Sequence, residues 1–454
     1  MGVAIARDRA WEHHIHFQVS VVDDGGVAKL WYASPDQGAG KLKSLGYFGY
    51  AESTDGVHWT KPELGVVAFN GSLRNNLTTP RIKRANVFID PTAPPERKFT
   101  AFGRNMDDEL GPKGYGVMTS ADGIHFARAI TNGAWPAGDT QNMAFWDHRI
   151  GRYVAYVRGF VESSDGNKRR AVARWETNDL TSRAGWNLEN NRSATHVYDQ
   201  LPIVLACDAD DPPLLDIYTP SVAKYPGADD VYIATPSMYH HFTPEEAIHA
   251  DPPRNDGLVD IQLAVSRDGI AWSRPDRRSY VGLESDPPAI SQVYGSVGMI
   301  VRGDKVYQYH VAYEQTHGVR RTNTPGGQIR WTEQRLDGFT AIESAYAGGE
   351  IITKPFIASG SRLELNIDVA AAGEARVEIQ DERGVPLPGH ALADSDRILG
   401  NRVRAIASWH GAQRVKLPVG APIRLRVASR NTKLFAVQFA ESHDGTRVSR
   451  DPGN

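Results

Sequence analysis

The stretch Leu263-Ala264-Val265-Ser266-Arg267-Asp268-Gly269-Ile270-Ala271-Trp272 decides the fold of this chain. An apolar alternation, typical of a β-strand, leads into a Ser-x-Asp-Gly sequence. Asp-Gly indicates a tight turn, because glycine accepts a positive φ and aspartate hydrogen-bonds its own backbone. The tryptophan then returns the chain to the core. We call Ser-x-Asp-Gly-x-x-aromatic an Asp box.

The Asp box recurs along the chain. Full copies are Ser53-Thr54-Asp55-Gly56-Val57-His58-Trp59 and Ser120-Ala121-Asp122-Gly123-Ile124-His125-Phe126. A looser copy is Trp175-Glu176-Thr177-Asn178-Asp179, followed by Trp186, and a degenerate one is Gln334-Arg335-Leu336-Asp337-Gly338-Phe339. Copies spaced roughly 60 to 90 residues apart indicate a repeat architecture.

Between the boxes, runs with period 2 dominate and helical periodicity is scarce, so the chain is predicted to be all-β. Four strand-like runs per interval predict a five-bladed β-propeller over residues 1–345. After Ala345 the box does not recur, and Gly348-Gly349 marks a linker. Alternating runs over residues 346–442 predict a C-terminal β-sandwich accessory domain, and residues 443–454 a polar tail.

Composition excludes several classes of protein. The chain has 454 residues, 23 % of them charged, and a formal net charge of −3, so neither a nucleic-acid nor a membrane partner is expected. Cys207 is the sole cysteine, so no internal disulfide framework is possible. The first residues lack an apolar signal-peptide core, which favours a cytoplasmic protein as written, although a removed leader would leave no trace.

The order of propeller, linker and sandwich resembles the five-bladed glycoside hydrolases, the superfamily of invertases, levansucrases, arabinanases and β-xylosidases (families 32 and 43). The resemblance rests on the Asp boxes and on Ala51-Glu52-Ser53-Thr54-Asp55-Gly56 followed by Lys61-Pro62-Glu63-Leu64-Gly65. It implies cleavage of a furanoside or pyranoside. The chain lacks the Trp-Met-Asn-Asp-Pro-Asn-Gly nucleophile run and the Glu-Cys acid of invertases, so no catalytic residue is carried over.

In a propeller the innermost strand of each blade lines an axial funnel, and its first residues face the mouth. A ring of polar residues at such positions predicts a site for a small hydrophilic ligand. The alternative is that any propeller axis holds water and polar side chains. The predicted ring and substrate-binding residues are His14, His16, Gln18, Arg84, Asn86, Asp139, Gln141, Asn142, Asp216, Tyr218, Gln292, Tyr294 and His317.

Glycoside hydrolysis needs a carboxylic acid that protonates the leaving oxygen and a carboxylate that activates water or attacks. Asp139 and Asp216 fit because they stand at blade entrances. Each could equally begin an Asx turn. Glu314 follows a strand predicted to be buried, where desolvation would suit the acid's role, although it could be a hairpin glutamate. Glu12, beside Trp11, could substitute.

Arg84 could clamp a substrate hydroxyl or carboxylate, or pair with a neighbouring acid. No metal and no cofactor is predicted, because no ligand set has the spacing of a closed metal site. His14 and His16 share a strand face, so they could hold a central ion or a water.

Three functions follow, all with a carbohydrate partner. The leading one is a glycoside hydrolase acting in the propeller funnel. A glycoside phosphorylase would keep the fold and transfer the sugar to phosphate, and clustered Arg and His would favour it. A non-catalytic sugar-binding propeller would lack a carboxylate pair. A carboxylate separation of about 5 Å indicates retention and one of roughly 6.5 to 9.5 Å inversion.

Overall fold

The computed structural model describes residues 1–33, 48–79, 82–105, 113–127, 130–134, 138–163, 166–182, 200–243, 245–247, 255–286, 288–319 and 326–441. Within these ranges the regular structure is β-strand, apart from one 3₁₀ turn at Pro95–Arg97. The all-β prediction is therefore confirmed. Among the described residues, no helix is long and apolar enough to cross a membrane.

The chain forms two compact units. The first comprises Met1–Arg302 and Tyr307–Glu333, and the second comprises Gly303–Val306 and the chain from Gln334 onward. The predicted division at residues 345 and 346 into two independently packed domains stays a prediction. The predicted polar tail, residues 443–454, and Trp186 lie outside the described residues.

The first unit contains 23 strands among its described residues. They are β1 (Gly2–Ile5), β2 (Val19–Asp24), β3 (Val27–Ala33), β4 (Phe48–Ser53), β5 (Leu77–Thr78), β6 (Lys83–Ile89), β7 (Phe99–Asn105), β8 (Gly114–Ser120), β9 (Ile130–Thr131), β10 (Met143–Asp147), β11 (Arg152–Glu162) and β12 (Lys168–Thr177). The series continues with β13 (Ile203–Leu205), β14 (Leu215–Thr219), β15 (Val222–Lys224), β16 (Tyr232–Ala234), β17 (Ser237–His241), β18 (Gly257–Ile261), β19 (Ala264–Ser266), β20 (Trp272–Ser273), β21 (Gln292–Arg302), β22 (Lys305–Tyr313) and β23 (Gln328–Arg335).

These strands form five antiparallel groups of four. The groups are β2-β3-β4-β5, β6-β7-β8-β9, β10-β11-β12-β13, β15-β16-β19-β20 and β21-β22-β23-β1. Three shorter strands, β14, β17 and β18, extend the fourth group beyond Pro220 and Ser221. The first strand of the group is broken at this point, because Ser221 has a positive φ of 45°. The trio carries Asp216 and Tyr218, which the sequence places in the site.

The last group is completed by the beginning of the chain. Strand β1 pairs with β23 in antiparallel register, with Gly2 opposite Trp331. A Cβ atom at Gly2 would lie 2.9 Å from the indole, so only glycine fits without displacing that ring. The beginning of the chain is therefore held to the last group by strand pairing.

The first strands of the five groups contact one another in a closed cycle, β2 to β6 to β10 to β15 to β21 and back to β2. Polar links between neighbouring strands are Val87 N to Ser20 Oγ (3.0 Å), Asn86 Nδ2 to Ala144 O (3.2 Å), Val222 N to Met143 Sδ (3.0 Å), Ser221 Oγ to Gly295 O (2.7 Å), and the parallel pairing of Ser20 with Val297. This cycle brings the beginnings of the five first strands together.

All three full Asp boxes fold as predicted. In each, the serine hydroxyl accepts a hydrogen bond from the glycine N–H at 2.8 to 2.9 Å. The aspartate Oδ1 accepts from the next two N–H groups after the glycine at 2.8 to 2.9 Å. The glycines Gly56, Gly123 and Gly269 have φ of 81°, 81° and 71°, which favours glycine.

Each box is fixed to a different group through the carbonyl of its glycine. Gly56 O accepts from Tyr309 Oη at 2.7 Å, and Gly123 O accepts from Trp31 Nε1 at 2.7 Å. Gly269 O accepts from Tyr156 Oη at 2.8 Å. The donors are buried and lie on β22, β3 and β11, the second strands of their groups. The box aromatics Trp59 and Trp272, expected to be fully buried anchors, are half-buried against the cores.

The second unit contains β24 (Ile342–Ser344), β25 (Gly349–Ile352), β26 (Arg362–Asp381), β27 (Gly400–Ile406) and β28 (Ile423–Ala440), which form one antiparallel sheet among the described residues. Strands β26 and β28 are long, 20 and 18 residues, and bend where Ala372 and Asn431 have φ of 60° and 47°. Their apolar faces enclose a core around Leu365, Val377 and Leu425.

Removing one donor from a box carbonyl should destabilise the protein. In Tyr309→Phe, the buried Gly56 carbonyl loses its hydroxyl partner, so we expect the free energy of unfolding to fall by about 1 to 3 kcal/mol. Tyr346→Phe is the control, since that side chain is exposed. Denaturant unfolding measures both, and equal stability of the two variants would show that the contact is dispensable.

Candidate active site

The half-exposed ring of Tyr218 is the centre of a cluster near the beginnings of the first strands. The guanidinium groups of Arg158 and Arg170 each lie 5.2 Å from its centroid. The rings around it are Phe17 at 5.6 Å, Tyr239 at 5.7 Å, Tyr294 at 5.7 Å and His317 at 5.0 Å between centroids. We call these seven residues the Tyr218 cluster.

Asp216 lies two residues before Tyr218 on β14 and is buried, with 1 % exposure. Its Oδ2 accepts from Arg170 Nη1 at 2.8 Å and lies 3.1 Å from His241 Nε2. Burial acts to raise the pKa of Asp216, but the hydrogen bond from His241 and the charge of Arg170 outweigh it and lower that pKa. Asp216 Oδ1 has no hydrogen-bond partner among the described residues.

Asp139 precedes β10, and 59 % of its side chain is exposed. Its Oδ1 lies 3.5 Å from Arg158 Nη2. Partial burial acts to raise the pKa of Asp139, but the charges of Arg158, Arg84, Arg170 and Arg104 together lower it below the ordinary value of 3.8. The structure thus holds a water-accessible carboxylate at Asp139 and a buried one at Asp216, and both act on Arg158.

Arg158 is a fully buried guanidinium within β11. Its Nη2 donates to the carbonyl of Tyr218 at 2.8 Å, which ties β11 to β14. Its Nη1 has no acceptor among the described residues, although it is buried. A buried charge with an unused donor is costly unless it serves a ligand or a water.

Arg84 is held in a strained conformation. Its φ is 57°, which is unfavourable for a residue with a side chain, and the register of β6 against β7 slips between Lys83 and Asn86. This bulge is possible because residue 103 is a glycine: a Cβ there would lie 2.6 Å from that of Ala85. Bulges of this kind re-aim side chains near active sites.

Three of the predicted substrate-binding residues make hydrogen bonds within the first unit. The Asn86 amide bonds both backbone polar groups of Ala144, at 2.8 and 3.2 Å. Gln141 Nε2 donates to the carbonyls of Val19 and Ala85, at 3.0 and 3.3 Å. Asn142 Nδ2 donates to Gly138 O at 2.9 Å. All three are buried and join neighbouring segments, so their contacts are structural.

The remaining predicted ring residues form an aromatic and imidazole wall. His14 stacks on Tyr313 with 5.3 Å between centroids, and His16 lies 4.7 Å from His14, edge to face. Tyr294 Oη lies 3.1 Å from His317 Nδ1 and donates to Gln292 Oε1 at 2.8 Å. Within the described ranges, no group of three or more His, Cys, Asp or Glu residues could hold a metal ion.

Two other predicted acids are placed differently from what was expected. Glu314 is exposed, so it lacks the desolvated position expected of it. Glu12 is buried, and Lys61 Nζ donates to it at 2.8 Å while the hydroxyl of Tyr32 forms a short hydrogen bond with it. Since its oxygens also accept the N–H groups of Asp8 and Arg9, Glu12 is a structural clamp on the chain before β2.

Sequence reasoning missed Arg158, Arg170 and His241. They lie on β11, β12 and β17, not on the first strands from which the site was predicted. The sequence signal that could have identified Arg158 is a charged residue at the end of an otherwise apolar run, Tyr153-Val154-Ala155-Tyr156-Val157-Arg158. Arg170 and Arg158 sit 12 positions apart on paired strands, which only the hairpin register reveals.

No family model and no curated protein matches the chain. Solved structures that resemble it include a β-fructofuranosidase from Schwanniomyces occidentalis (10 % identity, 96 % of each chain covered, TM-score 0.43) and an arabinoxylan arabinofuranohydrolase from Bacillus subtilis (12 %, 95 and 96 %, 0.39). A mannose phosphorylase from Leishmania mexicana has 10 % identity, coverage of 72 and 87 %, and a TM-score of 0.40. At such values the likeness to these enzymes says nothing about the reaction.

The strain at Arg84 predicts an unusual response to mutation. In Arg84→Gly, release of the left-handed strain of about 1 kcal/mol offsets the backbone entropy of glycine, so the free energy of unfolding should change by less than about 1 kcal/mol. Arg104→Gly, on the neighbouring strand without a positive φ, is the control and should be destabilised by about 1 kcal/mol. If urea unfolding shows that both variants lose the same free energy of unfolding, the strain at Arg84 is refuted.

Proposed function

We propose that the protein is a glycoside hydrolase that cleaves a glycosidic bond of an oligo- or polysaccharide at the Tyr218 cluster. The observation that carries this proposal is the pair of carboxylates beside the cluster, Asp139 and Asp216, which differ in exposure. Glycoside hydrolysis requires two carboxyl groups with different environments. The half-exposed rings of Tyr218 and His317 offer apolar faces of the kind that sugars contact.

The environments of the two aspartates suggest their roles. Asp139 is ionised and in contact with solvent, which suits activation of water or direct attack on the anomeric carbon. The leaving oxygen needs a proton, and the hydrogen-bonded pair of Asp216 and His241 is the source we assign. Glu314 stays a third candidate for the acid, although its exposed position gives no special support.

The fold proposed for this activity is a five-bladed β-propeller followed by a β-sandwich. The closed cycle of first strands and the completion of the last group by β1 support five blades. In the second unit, the bends at Ala372 and Asn431 would let β26 and β28 contribute to two packed layers. The apolar core between them supports a sandwich.

A second candidate function is glycoside phosphorolysis, favoured by the four guanidinium groups that act on Asp139. Phosphate would then take the place of water as the attacking group, and arginine is well suited to bind it. A screen of nitrophenyl glycosides and of plant and bacterial polysaccharides, with and without phosphate, separates the candidates. We expect turnover without phosphate. Turnover that requires phosphate would favour the phosphorylase, and binding without turnover would favour a non-catalytic sugar-binding protein.

Asp139 should be required for turnover and not for folding. We expect Asp139→Asn to lower kcat by about a hundredfold or more, the contribution of a positioned acid or base. Its melting temperature should stay close to that of the wild type, because the side chain is mostly exposed. Asp122→Asn in an Asp box is the control, since an amide oxygen can still accept the turn's hydrogen bonds. Full turnover of Asp139→Asn would move the reaction to other residues.

A further inference from the structure

Several guanidinium groups converge on the two aspartates. Arg84, Arg158 and Arg170 act on Asp139, and Arg158 and Arg170 also act on Asp216. His241 adds a further imidazole beside Asp216. An acidic ligand would complement these guanidinium groups, whereas a neutral sugar would not pair with their charge.

Two of the guanidinium groups have unused donors in accessible positions. The Arg84 side chain is half-buried and makes no hydrogen bond or ion pair with any described residue. Arg170 uses Nη1 for Asp216, and its other guanidinium N–H groups have no protein partner within the described ranges. Behind them, the buried Nη1 of Arg158 also lacks an acceptor. Arg158 and Arg170 stand beside Tyr218, the ring against which we place the sugar. Arg84 adjoins the segment that follows Asp139, since its carbonyl accepts from Asn142 N at 2.7 Å.

We infer that the sugar bound at the Tyr218 cluster carries an acidic group, and that Arg84 and Arg170 bind the carboxylate of a hexuronate. The inference rests on the proposed function, and it names the substrate class for that same site. An arginine fork matches a carboxylate with two parallel hydrogen bonds, which a neutral hydroxymethyl group in the same position cannot accept. The backbone strain at Arg84 then has a purpose, because it holds that fork at the site.

A bound carboxylate would also prepare the site for catalysis. In the structure the arginines lower the pKa of Asp139, whereas His241 and Arg170 together lower the pKa of Asp216. A substrate anion bound to Arg170 takes part of the positive charge that acts on Asp216, and so favours the protonated form of that aspartate. Binding of an acidic sugar therefore raises the proton affinity of Asp216, the assigned proton source, where a neutral sugar does not.

The test is a calorimetric binding series on the full chain. The probes are D-glucuronate, D-galacturonate, D-mannuronate and L-iduronate, each paired with its neutral parent sugar, together with inorganic phosphate. We expect at least one uronate to bind ten times or more tighter than its parent, with the difference shrinking as salt is added. Equal affinity within every pair, or no binding of any uronate, would overturn the inference. Phosphate binding without uronate binding would also overturn it and would assign the arginines to a free anion.

Variants locate the effect at these arginines. Arg84→Gly should lose at least fivefold of the preference for the uronate while its melting temperature is maintained, and Arg84→Lys should recover part of it. Arg97→Gly, a basic residue in the 3₁₀ turn, is the control and should leave the preference unchanged. An unchanged preference in Arg84→Gly would contradict the assignment to that residue.

Different experimental results would refute the acidic subsite and the hydrolase activity. Uronate binding without cleavage of any uronide would refute the hydrolase and support the acidic subsite. Efficient cleavage of neutral glycosides, at rates equal to those for the matching uronides, would support the hydrolase and refute the acidic subsite.

Discussion

The first unit depends on a repeated hydrogen bond between an aromatic donor and a turn. A buried Tyr or Trp on the second strand of one group donates to the glycine carbonyl of an Asp box in another group. The aspartate and serine of the box fix the turn so that this carbonyl points outward from it, and the glycine leaves room for the donor ring. Local turn chemistry and long-range packing are thereby joined in one contact.

The sequence predicted those parts of the fold that short-range sequence patterns determine. Asp-Gly turns and period-2 runs are short-range signals, so the boxes at Ser53, Ser120 and Ser266 and the all-β class could be read directly. The pairing of β1 with β23 could not, because no local pattern links Gly2 with Trp331. The bend of β26 was also hidden, since a positive φ at Ala372 contradicts the ordinary preference of alanine.

For the site, the sequence predicted where the candidate residues lie better than it predicted what their side chains do. Asp139, Asp216 and Tyr218 were chosen for their places at the beginnings of strands, and the structure puts them near one another. Gln141 was chosen by the same rule, yet its amide crosslinks two backbones, because adjacent strands approach closely there. Arg158 and Arg170 reach the site from β11 and β12, and hairpin register cannot be inferred from composition.

The antiparallel pairing of β1 with β23 has a consequence for how the protein is made. On the ribosome, β1 emerges with its hydrogen-bonding edge open, and its partner follows some three hundred residues later. Contacts of such sequence separation are slow to form, because the entropy of closing a long loop must be overcome. Throughout synthesis β1 is an unprotected edge that can pair with another nascent chain. Growth at low temperature or slow expression should therefore favour correctly paired chains over misassembled species.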